Sequence, residues 1–280
     1  MRPKTVYGWL QRFNRHRSVS KMQLFGIRTP IINPGDNLID ILCDSLADQR
    51  ISLASQDILV IAETAVATAQ NRIRELSAVQ VSPRAQELSE RYELEAPLAQ
   101  LVLEEADKIL GGVPHVLLTI KDNTLMANAG IDRSNAPVGH VVLLPSHPTK
   151  TAWEIKANLE AKTGHQLGVI IADSRTQPLR LGTVGLAVAV AGIEPIKDFR
   201  GQMDLFGRPL RITRAAVADN LASAAQLLLG EANERIPLVV IRDAPVEFTT
   251  RIIRPDELTI SQDECMYMAI FGHYQDKTNT

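Results

Sequence analysis

Ala127-Asn128-Ala129-Gly130-Ile131-Asp132-Arg133-Ser134-Asn135 is a small, polar, glycine-bearing stretch in which a carboxylate directly precedes an arginine. A second acid, Asp173, ends the apolar run Leu167–Ala172 and is followed by Ser174. An acid at the end of a buried strand tends to line a crevice where ligands bind. Two such acids on different segments of one domain can share a hard metal ion and the phosphates it carries. The alternative is structural: Asp132 caps a turn and Asp173 caps a helix start, both common uses of Asp. Pattern alone leaves both readings open.

Outward from these acids, short apolar, β-branched runs lie at Asp57–Ala62, Val113–Ile120, Val138–Leu144, Leu167–Ala172, Val184–Ala191 and Pro237–Arg242. Gly, Pro, Asp or Asn bound them, as expected of strands. Helical periodicity occupies Asp36–Ala47, Pro97–Leu110, Thr149–Thr163 and Thr213–Leu229. Thr151-x-x-Glu154 reads as a capping box, and Gly164 and Gly230 read as helix stops. The chain is therefore expected to be α/β, a mixed α+β arrangement whose elements alternate too irregularly to demand a doubly wound sheet. Leu144–Pro148 is the best candidate for an internal hinge. Residues 1–21 read as a basic arm, 22–244 as the main domain, and 245–280 as a tail of modest order.

The totals restrict function. The 280 residues are 45% hydrophobic and 22% charged, with a net charge of -2. That suits a soluble globular protein and gives no charge-based case for nucleic acid or membrane binding. The arm carries Arg2, Lys4, Arg12, Arg15, Arg17 and Lys21, with no acid before Asp36. It reads as a solvated terminus, or else as a contact to an anionic partner. It lacks the apolar core of a signal peptide, and no run of about 18 apolar residues suggests a membrane span. Cys43 and Cys265 form no CxxC and read as reduced core thiols of a cytoplasmic protein. Aromatics, at 4%, are too sparse for a base-stacking surface.

Common enzyme signatures are missing: there is no GxxxxGK[ST], no GxGxxG after a strand, no HExxH and no GxSxG. His140 and His147 lack a thiol or third histidine and read as loop or core residues rather than zinc ligands. The segment from Lys197 to Arg208 is dense in charge and glycine. Its Arg200 and Arg208 are placed either to clamp carboxylates or phosphates or to solvate an exposed hairpin.

Taken in order, these segments resemble the coenzyme F-420-0:L-glutamate ligase family, the gamma-glutamyl ligases. The resemblance runs from about Gly26 to Arg242. It includes Pro30-Ile31-Ile32 with Pro34-Gly35-Asp36, the run Asp57–Ala62, Asn128 to Asn135, Leu144-Pro145, Ile170–Asp173, Val190 to Ile193, Arg200-Gly201 to Phe206-Gly207, and Ala216 to Asp219. The Asn128–Asn135 and Arg200–Gly207 segments are its most specific parts.

The resemblance implies an α/β protein forming an intertwined homodimer. It implies a GTP-dependent amide ligase that joins the amine of L-glutamate to a carboxylate on a deazaflavin coenzyme precursor, using Mg2+ or Mn2+. By the same resemblance Asp132, Asp173, Ser174 and Glu231 are metal ligands, Asp132 and Asp173 being catalytic. Thr29, Pro30, Ile31, Ile32, Glu63, Thr64, Thr68 and Asn135 lie at nucleotide-contacting positions. The implied chemistry is sensible: GTP converts a poorly electrophilic carboxylate to an acyl phosphate, and the glutamate amine displaces phosphate. A different acceptor, such as a folate, or a catalytically silent nucleotide- and metal-binding homologue are the alternatives.

The chain also departs from the family pattern. A Ser-Lys-Ala run is here Ala67-Thr68-Ala69, and a His-Gly pair is Asp122-Asn123. The run Asp-Thr-Phe-Gly-Arg-Pro-Trp-Arg is here Asp173-Ser174-Arg175-Thr176-Gln177-Pro178-Leu179-Arg180.

Overall fold

The computed structural model describes residues 21–268; residues 1–20 of the basic arm and 269–280 of the tail lie outside the described residues. The central sheet has the order β1 (Gln23–Ile27), β12 (Leu238–Arg242), β2 (Ile58–Ala62), β8 (Gly168–Thr176) and β9 (Thr183–Ala191). β2 and β8 run parallel in its interior, and the other neighbours pair antiparallel. β1, β2 and β8 consequently point the same way. Ile58, Leu59, Val60 and Ile61 are all fully buried, which is why this strand is an unbroken apolar run rather than an alternation.

Helices cover both faces. α1 (Leu38–Asp48), α2 (Glu63–Ala69) and α5 (Pro148–Thr163) share a core with Leu59, Ile61, Val169, Ile171 and Val240. α6 (Val217–Leu229) packs Ala218, Leu221, Ala222, Ala225 and Leu229 against Ile58, Val60, Ile170, Val190 and Ile241 on the other side. α1 starts where Asn37 accepts hydrogen bonds from the Ile39 and Asp40 amides, freeing neither donor to be left unpaired. α6 approaches β9 very closely: a Cβ on Gly185 would lie 2.4 Å from the Ala222 carbonyl. The Ala-rich stretches Val184–Ala191 and Ala215–Leu229 thus bury each other within one chain.

A smaller lobe has its own core. β4 (Lys108–Val113), β5 (Val116–Lys121) and β6 (Thr124–Ala127) form a three-stranded sheet, and β3 (Ile73–Glu75) pairs with β7 (His140–Val142). α3 (Pro83–Tyr92) and α4 (Ala96–Glu105) pack Leu88, Leu98, Leu101 and Val102 against Leu117, Ile131 and Val141. β10 (Ile196–Asp198) and β11 (Arg214–Ala216) bracket a long exposed hairpin.

Several sequence expectations need correction. The helix expected over Pro97–Leu110 ends at Glu105, because Ile109 to Val113 pair with β5. Gly112 permits that hairpin, since a Cβ there would stand 2.4 Å from the Val116 carbonyl oxygen. The helix expected from Thr213 begins at Val217, the preceding residues being β11. The capping box at Thr151 does not form. The helix begins at Pro148, a residue preset for the first helical position, and Thr151 Oγ1 lies 3.1 Å from the His147 carbonyl within the first turn. At the expected hinge, the Ser146 amide donates to Gln70 Oε1 at 2.8 Å.

The described part of the tail packs on the α6 side of the sheet. Ile253 is 1% exposed, Arg251 pairs with Glu194 and Glu257, and Asn123 Nδ2 donates to the Ile260 carbonyl at 2.8 Å. No helix among the described residues is long and apolar enough to cross a membrane.

Candidate active site

Because β1, β2 and β8 run the same way, their carboxyl ends share one edge of the sheet, with the entry to β12 and the start of β9. That edge is where open α/β sheets form their ligand crevices. The last parallel pair is Ala62 with Ala172. One residue beyond each stands an acid, Glu63 opening α2 and Asp173 continuing β8. Asp173 does not cap a helix start: β8 runs on to Thr176, and Asp173 pairs across from Leu186 after a bulge at Ile171/Ala172. Such bulges re-aim side chains next to sites.

Asp132 reaches this edge from the small lobe. Its backbone exchanges two hydrogen bonds with Val142, 2.9 and 2.8 Å. Its Oδ1 accepts the Ser134 amide at 2.8 Å, so it does close a turn while lying beside the other acids. Glu231 arrives from the loop after α6, anchored by Thr183 Oγ1 and Gln226 Nε2, each 2.7 Å from Oε1.

The four carboxylates feel one another. Burial, then the charges of Asp173 and Asp132, raise the Glu63 carboxyl well above its ordinary range, against backbone N–H groups at the start of α2. Burial raises Asp173 to about 7, with Asp132 and Glu231 adding to the rise and the Ser174 amide opposing it. Among the described residues none of these four acids has a basic partner in an ion pair. Crowded carboxylates without a counter-charge constitute a cation deficit. Carboxylates and the Ser174 hydroxyl are oxygen donors of the kind that Mg2+ or Mn2+ takes, so the donor chemistry fits a hard divalent ion. Among the described residues, however, no three such side chains close into a preformed metal cage.

The loop between Gly230 and Pro237 ties the crevice together. The Asn135 amide nitrogen donates to the Ala232 carbonyl at 2.8 Å, bringing the Asp132 segment to it. The Thr29 amide donates to the Arg235 carbonyl at 3.0 Å, and Arg235 Nη2 returns a bond to the Thr29 carbonyl at 3.0 Å. Thr29 is buried, whereas Pro30 and Ile31 are exposed and Ile32 is half-buried. The Gly35 amide then meets the Ala69 carbonyl at the end of α2. Thr64 is half-buried beside Glu63. Thr68 lies five residues on, about 7.5 Å along the helix axis, and has no described bond to the acids.

Sequence reasoning had not identified Arg235 or the connecting role of its loop; no residue pattern there announces it. It had assigned Glu63 to nucleotide contact, without seeing that strand register sets it beside Asp173. The charged Lys197–Arg208 segment makes no described ion pair with the four acids. Arg200 is bonded to Asp198 and Arg208 to Asp204, so both guanidinium groups are satisfied within an exposed hairpin. His140 and His147 are backbone-bonded or capping residues.

Comparison with known proteins bears on this arrangement. Residues 26–243 match the family model described as F420-0:Gamma-glutamyl ligase. A coenzyme F420:L-glutamate ligase of Methanothermobacter thermautotrophicus is 39% identical over 226 residues, covering 80% of this chain and 90% of that protein. The enzyme of the same name from Methanopyrus kandleri is 38% identical over 212 residues, covering 75% and 82%. That of Archaeoglobus fulgidus is 37% identical over 213 residues, covering 76% and 84%.

Proposed function

The chain belongs to the F420-0:gamma-glutamyl ligase family and is a ligase; from that premise we propose that it adds L-glutamate to a carboxylate of coenzyme F420-0 or a related acceptor. GTP supplies the driving force through an acyl phosphate, and Mg2+ or Mn2+ is required. The observation that carries the reading is the crevice where Glu63, Asp132, Asp173 and Glu231 crowd together without a basic partner.

In this reading Asp132, Asp173, Ser174 and Glu231 hold the metal ions, whose chemistry is to neutralise charge on the transferring phosphoryl group. The loop Gly230–Pro237 positions the Thr29–Ile32 and Asn135 segments, which contact GTP together with Glu63, Thr64 and the region of Thr68. The acceptor carboxylate oxygen attacks the γ-phosphorus, and GDP leaves. The neutral amine of glutamate attacks the acyl carbon; phosphate leaves, the nitrogen gives up one proton to solvent, and the amide forms. The partly buried crevice edge limits loss of the acyl phosphate to water.

We further propose that the protein is a cytoplasmic homodimer. Support comes from apolar side chains at two hairpin tips: Leu179, Leu181, Leu205, Phe206 and Ile212 are all more than 80% exposed. Burial of these side chains against a second chain would remove their apolar surface from water.

The test is a ligation assay with GTP, Mn2+, L-glutamate and a panel of acceptors that includes F420-0 and a folate. Stoichiometric formation of GDP and a glutamylated F420-0 is the expected result. Turnover with ATP alone, or glutamylation of the folate but not F420-0, would refute the nucleotide or acceptor assignment. Absence of any product under metal would favour a silent homologue.

A further inference from the structure

The crevice has a second end. Thr29, after β1, and Glu63, after β2, lie toward one side of the sheet edge; β8 and the edge strand β9 lie toward the other. Arg175 is on that far side, in β8 opposite Val184. It follows Asp173 by two residues, about 7 Å along the strand.

Its guanidinium is poorly satisfied. Nε is buried and has no hydrogen-bond partner among the described residues. Nη2 lies 3.8 Å from Asp219 Oδ2, beyond hydrogen-bonding distance. The other carboxylate oxygen of Asp219 is engaged by the Ala187 amide at 3.0 Å. A buried guanidinium N–H is costly to leave without an acceptor. Arg200, Arg208, Arg242 and Arg251 each have a close carboxylate partner, and Arg235 in the crevice loop donates to the Thr29 carbonyl. Arg175, two residues beyond Asp173, has donors to spare.

We propose that Arg175 receives an anionic group of the acceptor, a phosphate or carboxylate at a distance from the carboxylate being activated. An arginine fork matches either oxyanion in bidentate fashion. Its position also answers an electrostatic need. An anionic acceptor approaching four carboxylates is repelled, and a fixed cation at the β9 end offsets that repulsion where the acceptor's body would lie. The positions proposed for the nucleotide, Thr29–Ile32, Glu63 and Thr64, lie at the β1 and β2 end of the edge, whereas Arg175 lies two residues beyond Asp173 at the β9 end. The inference rests on the ligase reading for the identity of the acceptor, but the anion preference rests on Arg175 itself.

The experiment compares the full chain with Arg175→Met, which keeps the stem, and Arg175→Lys, which keeps the charge without the fork. Calorimetry with Mg2+ present measures F420-0 and a non-hydrolysable GTP analogue separately, and phosphorus NMR follows binding of inorganic phosphate alone. Melting curves establish that each variant is folded. Acceptor affinity is expected to fall about ten-fold or more in Arg175→Met and to recover partly in Arg175→Lys. GTP-analogue affinity should stay within about two-fold, and phosphate binding should be lost in Arg175→Met. If the wild-type chain ignores F420-0 yet binds phosphate through Arg175, the acceptor identity fails and the anion site stands. Unchanged acceptor and phosphate binding in folded Arg175→Met would overturn the proposal, as would loss confined to the GTP analogue.

Discussion

Glu63 and Asp173 stand side by side because each is one residue beyond the paired Ala62 and Ala172 of two adjacent parallel strands. Main-chain register, rather than any local motif, brings the two carboxylates together. Burial makes both harder to ionise; the charges of Asp173 and Asp132 add to the rise at Glu63, and those of Asp132 and Glu231 to the rise at Asp173.

Proton and metal should therefore compete. Asp173 is raised to about 7, so a divalent ion must displace a proton below that pH. Mn2+ affinity is expected to weaken as pH falls from 8 to 6, with protons released on binding. Calorimetry in buffers of different ionisation enthalpy measures that release. Asp173→Asn should abolish turnover and weaken Mn2+ binding at least ten-fold; affinity indifferent to both pH and this substitution would place the metal elsewhere.

The same carboxylate sets a stability slope. Its ordinary value is 3.8, and in the fold it is about 7. Between those values the folded state binds more protons than the unfolded state, so this contribution favours folding in acid and is lost as pH rises through 7. Metal-free protein should gain Tm from Asp173→Asn at pH 8 and much less at pH 5. Equal shifts at both pH values would show that the site is less strained than described.

By the family resemblance, Thr68 is expected to stand at the position of a lysine. Thr68→Lys is expected to tighten GTP binding several-fold in the presence of metal, about 1 kcal/mol for a partly exposed lysine–phosphate contact. Titration calorimetry decides it. Unchanged affinity would mean that the last turn of α2 does not face the nucleotide.

Light scattering during size-exclusion chromatography should give twice the 30.8 kDa chain mass. The double substitution Leu205→Asp and Phe206→Asp should shift it toward one chain without loss of the fold, since both side chains are almost fully exposed. A 30.8 kDa species from the unmodified protein at micromolar concentration would remove the dimer.

The strands buried on both faces were legible because Asp57–Ala62, Leu167–Ala172 and Pro237–Arg242 carry their apolar runs unbroken. The short pairings β3–β7 and β10–β11 were not, because three residues give no measurable period. Ile109 and Leu110 read as helix because their spacing continues that of α4; only the pairing of this segment with β5 decides against it. The acids were visible as chemistry-bearing residues, while their neighbourhood was not. Glu63 beside Asp173 depends on register, and Thr29 beside Arg235 depends on a contact between opposite ends of the domain. Composition does not say whether the Ala-rich stretches Val184–Ala191 and Ala215–Leu229 pack on a partner or on each other; the close approach of α6 to Gly185 decides for the second.

The place of β12 between β1 and β2 has a consequence for synthesis. The first and second strands of the sheet leave the ribosome early, but the strand that joins them is made last of the sheet. Until Leu238–Arg242 emerges, β2 carries an apolar open edge and β1 has nothing to pair with. Such edges invite association with other chains. The emerging protein thus depends on holding this edge apart from its neighbours, and the crevice comes into being only when translation of the domain is nearly over.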